Sequence, residues 1–578
     1  MRAPAAPFRR FLSVVLALLI AVSPLVAAAP QEPSGATFTA ESNLVLVPVI
    51  VTSGSQHVSG LAQSDFTILD DGKPVKIASF EEIKQVPATM SHPQQTGMYT
   101  NAVDQPQTAH GMTVIVLDQI NTPFLDQSYA RAQLLKFLAE HVDINEPVAL
   151  IMIGRRGVRV IHDFTTSPKL LVAALKKVSS RSDTLTLDDS SVSASVAGLE
   201  VSELDSFYAG TDGGYGQFEI TQAIEITFSA LQHIAQGLEG IPGRKSLIWV
   251  TGGFPFEITS SGDLAALRYY TTGATHQAVG GLVGGVGAGG ALPPLPESSV
   301  STADDFASAI RPYWQRAMQA MNKANIAIYP IDARGLVAYS SAVSSRVRIS
   351  DVYGTEAQTH TTMNDIAEVT GGKAYYNTND ITGAFNKATG ETRQYYMIGY
   401  YAEKADKVKW HKLQVKLDKP GLEARTRTGY MAGTVTTKKP DDLRNADIRA
   451  AIASPLDYTG LPLKLWLDPA QPAAGGKKKV PFEVDIVPGG ATVDKANKNR
   501  VSLEFVVIAR NAQGDPAAQF GQKIDINLKD DQLATFAAKG LNYNQALQLA
   551  PGTYQVRVIV RDNLGGKVGS VIAPLQVQ

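Results

Sequence analysis

The feature that most constrains the fold is the stretch Met112–Thr122, MTVIVLDQINT. Four apolar residues, Val114 to Leu117, run without alternation into Asp118 and a short polar turn. Such a run reads as a strand covered on both faces, the situation of a strand in a parallel sheet. An acidic residue at its carboxyl end stands where open α/β sheets place their ligands.

The pattern around this stretch alternates. Strands are expected at 113–118, 148–153, 157–163, 246–251 and 326–331, with a short one at 373–376. Helices are expected at 127–141, 168–178, 217–239 and 303–323, and near 362–369 and 381–391. In the fourth of these strands, SLIWVT is again continuously apolar. The helix at 217–239 carries Ile220, Ile224, Phe228, Leu231, Ile234 and Leu238 at helical spacing. Alternation of this kind implies parallel pairing through right-handed crossovers. The expected class is therefore α/β, with a doubly wound, mostly parallel sheet over 111–401. A small N-terminal β domain is expected at 37–83, where Asp70–Asp71–Gly72 makes a hairpin turn. Residues 84–110 read as an exposed connector. Closing strands at 402–435 and a linker at 436–460 lead to 461–578, whose short strands suggest an immunoglobulin-like β-sandwich.

The first residues carry an address. Arg9 and Arg10 precede an apolar core, Phe11–Val22, and small residues at Val26–Ala29. This predicts a signal peptide over 1–29 and a periplasmic or extracellular mature protein. The apolar run is too short to span a bilayer, and no membrane span is expected after cleavage. The chain has no cysteine, which removes disulfides, thiolate catalysis and cysteine-ligated metals. A net charge of -1 gives no footprint for nucleic acid.

Motifs for chemistry are scarce. The sequence has no His-x-x-x-His pair, no Gly-x-Ser-x-Gly elbow and no Walker motif. His110, His141 and His162 lack partners at ligand spacing, Arg155–Arg156 reads as a solvated turn, and Tyr395, Tyr396, Tyr400 and Tyr401 read as strand packing. Gly285, Gly287, Gly289 and Gly290 are followed by Pro293, Pro294 and Pro296 rather than by a helix. They mark a surface loop, not a dinucleotide site. Residues 179–215 and 257–300 are long for loops in a compact domain, which makes them either mobile or functional.

Several stretches carry a resemblance: LAQSDFTILDDGKPVKIASFEE at 61–82, VIVLDQINT at 114–122, IPGRKSLIWVTGGFP at 241–255, RQYYMIGYY at 393–401 and ARTRTGY at 424–430. The alternating region resembles a von Willebrand factor type A domain. The chain more narrowly resembles the VWFA-related family of acidobacterial proteins, over about residues 40–435. The resemblance implies a metal-ion-dependent adhesion site. There an Asp-x-Ser-x-Ser loop, a Thr and an Asp hold Mg²⁺ through hard oxygens and leave a position for a partner's carboxylate. On that pattern Asp118 takes the Asp position, Ile120 and Thr122 the two Ser positions, and Thr211 the Thr position. The expected Thr-Asp-Gly after the fourth strand reads Thr251-Gly252-Gly253.

The metal candidates are thus Asp118, Thr122 and Thr211, with Asp126 and Asp212 close enough in sequence to add a carboxylate. The wider ligand-binding set is Asp118, Asn121, Thr122, Thr211 and Thr251. The alternative is that Asp118 and Asn121 hydrogen-bond the loop backbone. No cofactor is expected, and Mg²⁺ is the one ion the donor set leaves open. The reading is a secreted, non-enzymatic protein that binds a protein partner through a degenerate adhesion site. A periplasmic hydrolase and a structural envelope component are the alternatives.

Overall fold

The structure, a computed structural model, describes residues 44–54, 56–84, 97–102, 111–122, 124–140, 147–178, 222–253, 303–335, 349–391, 393–403, 409–433 and 440–578. The expected signal stretch, Thr211, Asp212, His110 and His141 lie outside the described residues.

The apolar segments build one mixed sheet. Its strands are β1 (Met112–Asp118), β2 (Val148–Gly154), β3 (Gly157–Thr165), β4 (Lys245–Thr251) and β5 (Ile326–Asp332), in spatial order β5-β4-β1-β2-β3. β5, β4, β1 and β2 are parallel, and β3 closes the edge antiparallel to β2. Side chains of a strand alternate between faces, so each apolar run feeds two layers. Val114, Val116, Leu247 and Trp249 pack into one core; Ile115, Ile248 and Val250 pack into the other. The first layer is covered by helices α3 (222–238), α4 (Ala303–Lys323) and α5 (Ile349–Thr370). The second is covered by α1 (Phe124–Glu140), α2 (Pro168–Lys176) and α6 (Ile381–Gly390).

The expected class needs correction. Among the described residues, four of five sheets are antiparallel throughout and only this one is mixed. The chain is a predominantly antiparallel β protein, not an α/β protein built on a doubly wound parallel sheet. The helix–strand alternation is local to the middle of the chain, and strands before and after it pair by hairpins and long returns.

Those returns interleave the ends of the sequence. Leu44–Ser53 pairs with Gln394–Tyr401, and Phe66–Asp70 pairs with Lys409–Leu417, around one core that includes Val47, Ile68, Ile398 and Leu413. The stretch read as an exposed connector also contributes a strand. Met98–Thr100 pairs with Leu463–Leu467, and buried Asn101 bridges Tyr458 O, Leu461 O and Leu463 N. The C-terminal part is two antiparallel sheets closing over a shared core, with a helix, Asp530–Lys539, that the sequence reading missed.

At the amino end of β4, Lys245 is fully buried. Its Nζ donates to Ile241 O, and to Ala324 O at 2.7 Å, the carbonyl just past α4. Burial pushes its ammonium down from 10.5 to about 7, with Glu239 pulling the other way. Between those values the unfolded chain holds a proton that the folded chain does not, so stability rises with pH across that window. In chemical denaturation from pH 7 to 10, wild type should gain up to about 1.4 kcal/mol per pH unit relative to Lys245→Met. Parallel pH profiles for the two proteins would overturn this.

Candidate functional site

Asp118 ends β1 and is 2% exposed. Its Oδ1 accepts the backbone N–H groups of Ile120 and Asn121, each at 3.0 Å, which folds the turn after the strand. Its Oδ2 accepts Asn121 Nδ2 at 2.8 Å, Trp249 Nε1 at 3.1 Å and Thr251 Oγ1 at 3.1 Å. Asn121 Nδ2 also reaches Thr227 Oγ1 of α3 at 3.0 Å, and Thr122 Oγ1 accepts Gly252 N at 2.9 Å. Thr251 Oγ1 lies 2.8 Å from Gly253 O as well, so its single proton serves one of two acceptors. The structure therefore brings Asp118, Asn121, Thr122 and Thr251 into one network at the carboxyl ends of β1 and β4.

Burial raises the Asp118 carboxyl above its ordinary value, against the pull of hydrogen bonds from Asn121, Thr251 and Ile120. The space beside it is narrow, about 20 Å³, lined by Gln119, Thr122 and Arg131 among others, which is room for one water. Among the described residues this donor set does not fit Mg²⁺. Both Asp118 oxygens face N–H and O–H donors, Ile120 is packed into the core, and Gly252 offers an N–H where the family pattern has a carboxylate.

A second acidic node was missed by the sequence reading. Asp332 ends β5, opposite Thr251 in register, and is 2% exposed. Arg334 grips it with Nε at 2.9 Å and Nη2 at 2.7 Å, and His360 Nε2 of α5 lies 3.1 Å away. The His360 ring stacks on Tyr376 at 4.2 Å between centroids. Burial pushes the Asp332 carboxyl up, but the His360 and Arg334 contacts outweigh it and hold it below its usual range. The signal was available: Asp332 follows an apolar strand as Asp118 does.

Val178, Gly253 and Gly335, each the last described residue before a long undescribed stretch, stand at this edge. Residues 179–221 follow Val178, which lines the Asp118 pocket; residues 254–302 follow Gly253; residues 336–348 follow Gly335, whose N–H meets Asp332 O. The exposed Arg155 turn joins β2 to β3 at the same edge. His162, by contrast, sits along β3 with Nδ1 at Asp163 O. Tyr395, Tyr396 and Tyr400 are buried in packing, while Tyr401 is 61% exposed.

No family model matches this chain, and no curated protein matches it. Among solved structures, the vWF domain of the type V pili tip protein Mfa5 from Porphyromonas gingivalis aligns at 12% identity and TM-score 0.23, covering 48% of this chain and 94% of that one. The pilus adhesin RrgA from Streptococcus pneumoniae aligns at 8% identity and TM-score 0.24, covering 92% and 80%. A putative beta-galactosidase from Bacteroides fragilis aligns at 13% identity and TM-score 0.15, and the chain spans only 16% of it. TM-scores this low do not establish a shared fold.

Proposed function

We propose that this chain is a secreted, non-enzymatic binding protein that engages a protein partner at the carboxyl edge of its mixed sheet, in the manner of a type A-like domain with a degenerate adhesion site. The observation that carries the reading is the buried polar network of Asp118, Asn121, Thr122 and Thr251 at the carboxyl ends of β1 and β4. Asp118 and Asp332 fix the carboxyl ends of β1 and β5, and binding residues are commonly placed on loops held by a rigid scaffold. No helix among the described residues is long and apolar enough to cross a membrane.

The test is capture from an envelope fraction or culture supernatant with the full chain. The comparison is with variants shortened within 179–221 and 254–302, each checked by circular dichroism for an intact fold. Shortening both segments should cut capture of a specific partner by about tenfold or more, the scale of losing a central contact. Equal capture by intact and shortened chains would refute the proposal. The Asp332–His360 pair favours one second reading, a hydrolase. Turnover of ester, phosphate or peptide substrates that disappears in His360→Ala would replace the binding reading with it.

A further inference from the structure

The N-terminal β module holds a cluster that neither the implied adhesion site nor the proposed binding edge uses. Strand Phe66–Asp70 turns into Lys73–Val75 through Asp71 and Gly72, both at positive φ, 48° and 81°. That tight turn places two successive carboxylates beside Lys409–Leu417, the neighbouring strand. His411 on that strand points Nδ1 between them, 3.3 Å from Asp70 Oδ1 and 3.5 Å from Asp71 Oδ2. One ligand atom from each of the three side chains lies within 4.8 Å of the others.

Each side chain is held from behind. Asp70 Oδ2 accepts Tyr400 OH at 2.9 Å and Tyr430 OH at 2.7 Å, which leaves Oδ1 for His411. Asp71 Oδ1 accepts Lys412 N at 2.9 Å, which turns Oδ2 inward. The imidazole lies on the Tyr430 ring, 5.1 Å between centroids. Its Nε2 is buried with no partner among the described residues, so Nδ1 is the ring's polar contact. Supporting contacts of this sort orient ligands at metal centres.

His411 Nδ1 hydrogen-bonds Asp70 Oδ1 at 3.3 Å, a long contact whose spacing also suits a shared metal. Good N–H···O contacts are about 2.7–3.2 Å. Zinc bonds of about 2.0–2.1 Å in tetrahedral geometry put neighbouring ligand atoms about 3.3–3.4 Å apart. One imidazole nitrogen with two carboxylate oxygens is a borderline set, selecting Zn²⁺ over Mg²⁺ or Ca²⁺.

We propose that Asp70, Asp71 and His411 form a Zn²⁺ site with a fourth position open to water, which staples the Asp70–Gly72 turn to the strand at 409–417. Lys409 is the competing cation. Its Nζ lies 2.8 Å from Asp71 Oδ2 on a side chain 63% exposed, so zinc displaces it into solvent. A metal that binds only the folded module stabilises it by mass action.

Chelator-treated full-length protein is titrated with ZnCl₂ by calorimetry and followed by thermal unfolding. The expected result is a single site and a raised melting temperature, with no competition from Mg²⁺. Asp71→Asn and His411→Ala should each weaken binding by about tenfold or more. Lys409→Ala should tighten it, an effect that a merely structural ion pair would not produce. Asp71 is exposed and at a turn, so Asp71→Asn keeps the test valid even if His411→Ala fails to fold. Absence of zinc binding overturns the proposal, and so does zinc binding unchanged in Asp71→Asn and Lys409→Ala.

Discussion

Asp118→Ala should lower the unfolding free energy by about 3–5 kcal/mol, and by the same amount in chelator as in excess Mg²⁺. The cost arises from the donors left behind. Trp249 Nε1, Asn121 Nδ2 and the N–H groups of Ile120 and Asn121 point at the two carboxylate oxygens, and Thr251 Oγ1 lies within reach of both Oδ2 and Gly253 O. Each buried donor without an acceptor costs about 1–3 kcal/mol, and a water in the vacated space recovers part of the total. Asp118→Asn keeps one acceptor oxygen but turns an amide N–H₂ toward donors, so its loss should be smaller and still substantial.

The pH profile separates wild type from both variants. The folded Asp118 carboxyl is raised above its unfolded value of 3.8, so in the window above that value the folded chain holds the extra proton. This group's contribution is then fully present below the unfolded pKa and falls as pH rises through the folded one. Asp118→Asn should lack that component. Urea melts across pH, with and without chelator, provide the check. A loss appearing only when Mg²⁺ is present would make Asp118 a ligand rather than a structural acceptor.

Asp118 was legible because its signal is local: an apolar run that ends in a carboxylate. Asp332 carries the same signal in IYPIDARG, but a reading that ended the strand at 331 cut it off. The four parallel strands of the mixed sheet were legible for the same reason, since burial on both faces leaves continuous apolar runs. The class of the whole chain was not. Leu44 pairs with Tyr401 and Met98 with Trp466, and no pattern within either strand names a partner hundreds of residues away. Half-buried strands such as Lys409–Leu417 alternate and match many registers equally well. Thr211 was assigned through the resemblance alone, and nothing in the described residues bears on it.

Arg427→Ala should cost about 3–5 kcal/mol, because two of the stretches that carry the family resemblance meet as one buried seam. From ARTRTGY, Arg427 is 6% exposed; its Nη2 donates to Leu46 O at 3.0 Å and its Nη1 to Asn322 Oδ1 at 3.2 Å, with Tyr430 beneath its guanidinium. Thr426 Oγ1 holds Pro48 O at 2.9 Å, while Arg425 holds Gly372 O at 2.8 Å and pairs with Glu391. From IPGRKS, Arg244 Nη2 meets Tyr329 OH at 2.9 Å and Gly371 O at 2.7 Å, and Tyr329 OH donates onward to Glu391. The seam thus joins the strand at 44–53 to the ends of α4 and α5. Burial pushes the Arg427 guanidinium down to about 10, so it stays charged at neutral pH. Truncation leaves two acceptors dry and a large cavity, whereas Arg427→Met fills the volume and removes a desolvated charge. The methionine variant should therefore lose about half as much or less. Denaturant unfolding should also split into two transitions in Arg427→Ala, as the β module lets go before the mixed sheet. A single transition, shifted no more than the roughly 0.5 kcal/mol expected of a surface substitution, would mean that the seam does not hold these parts together.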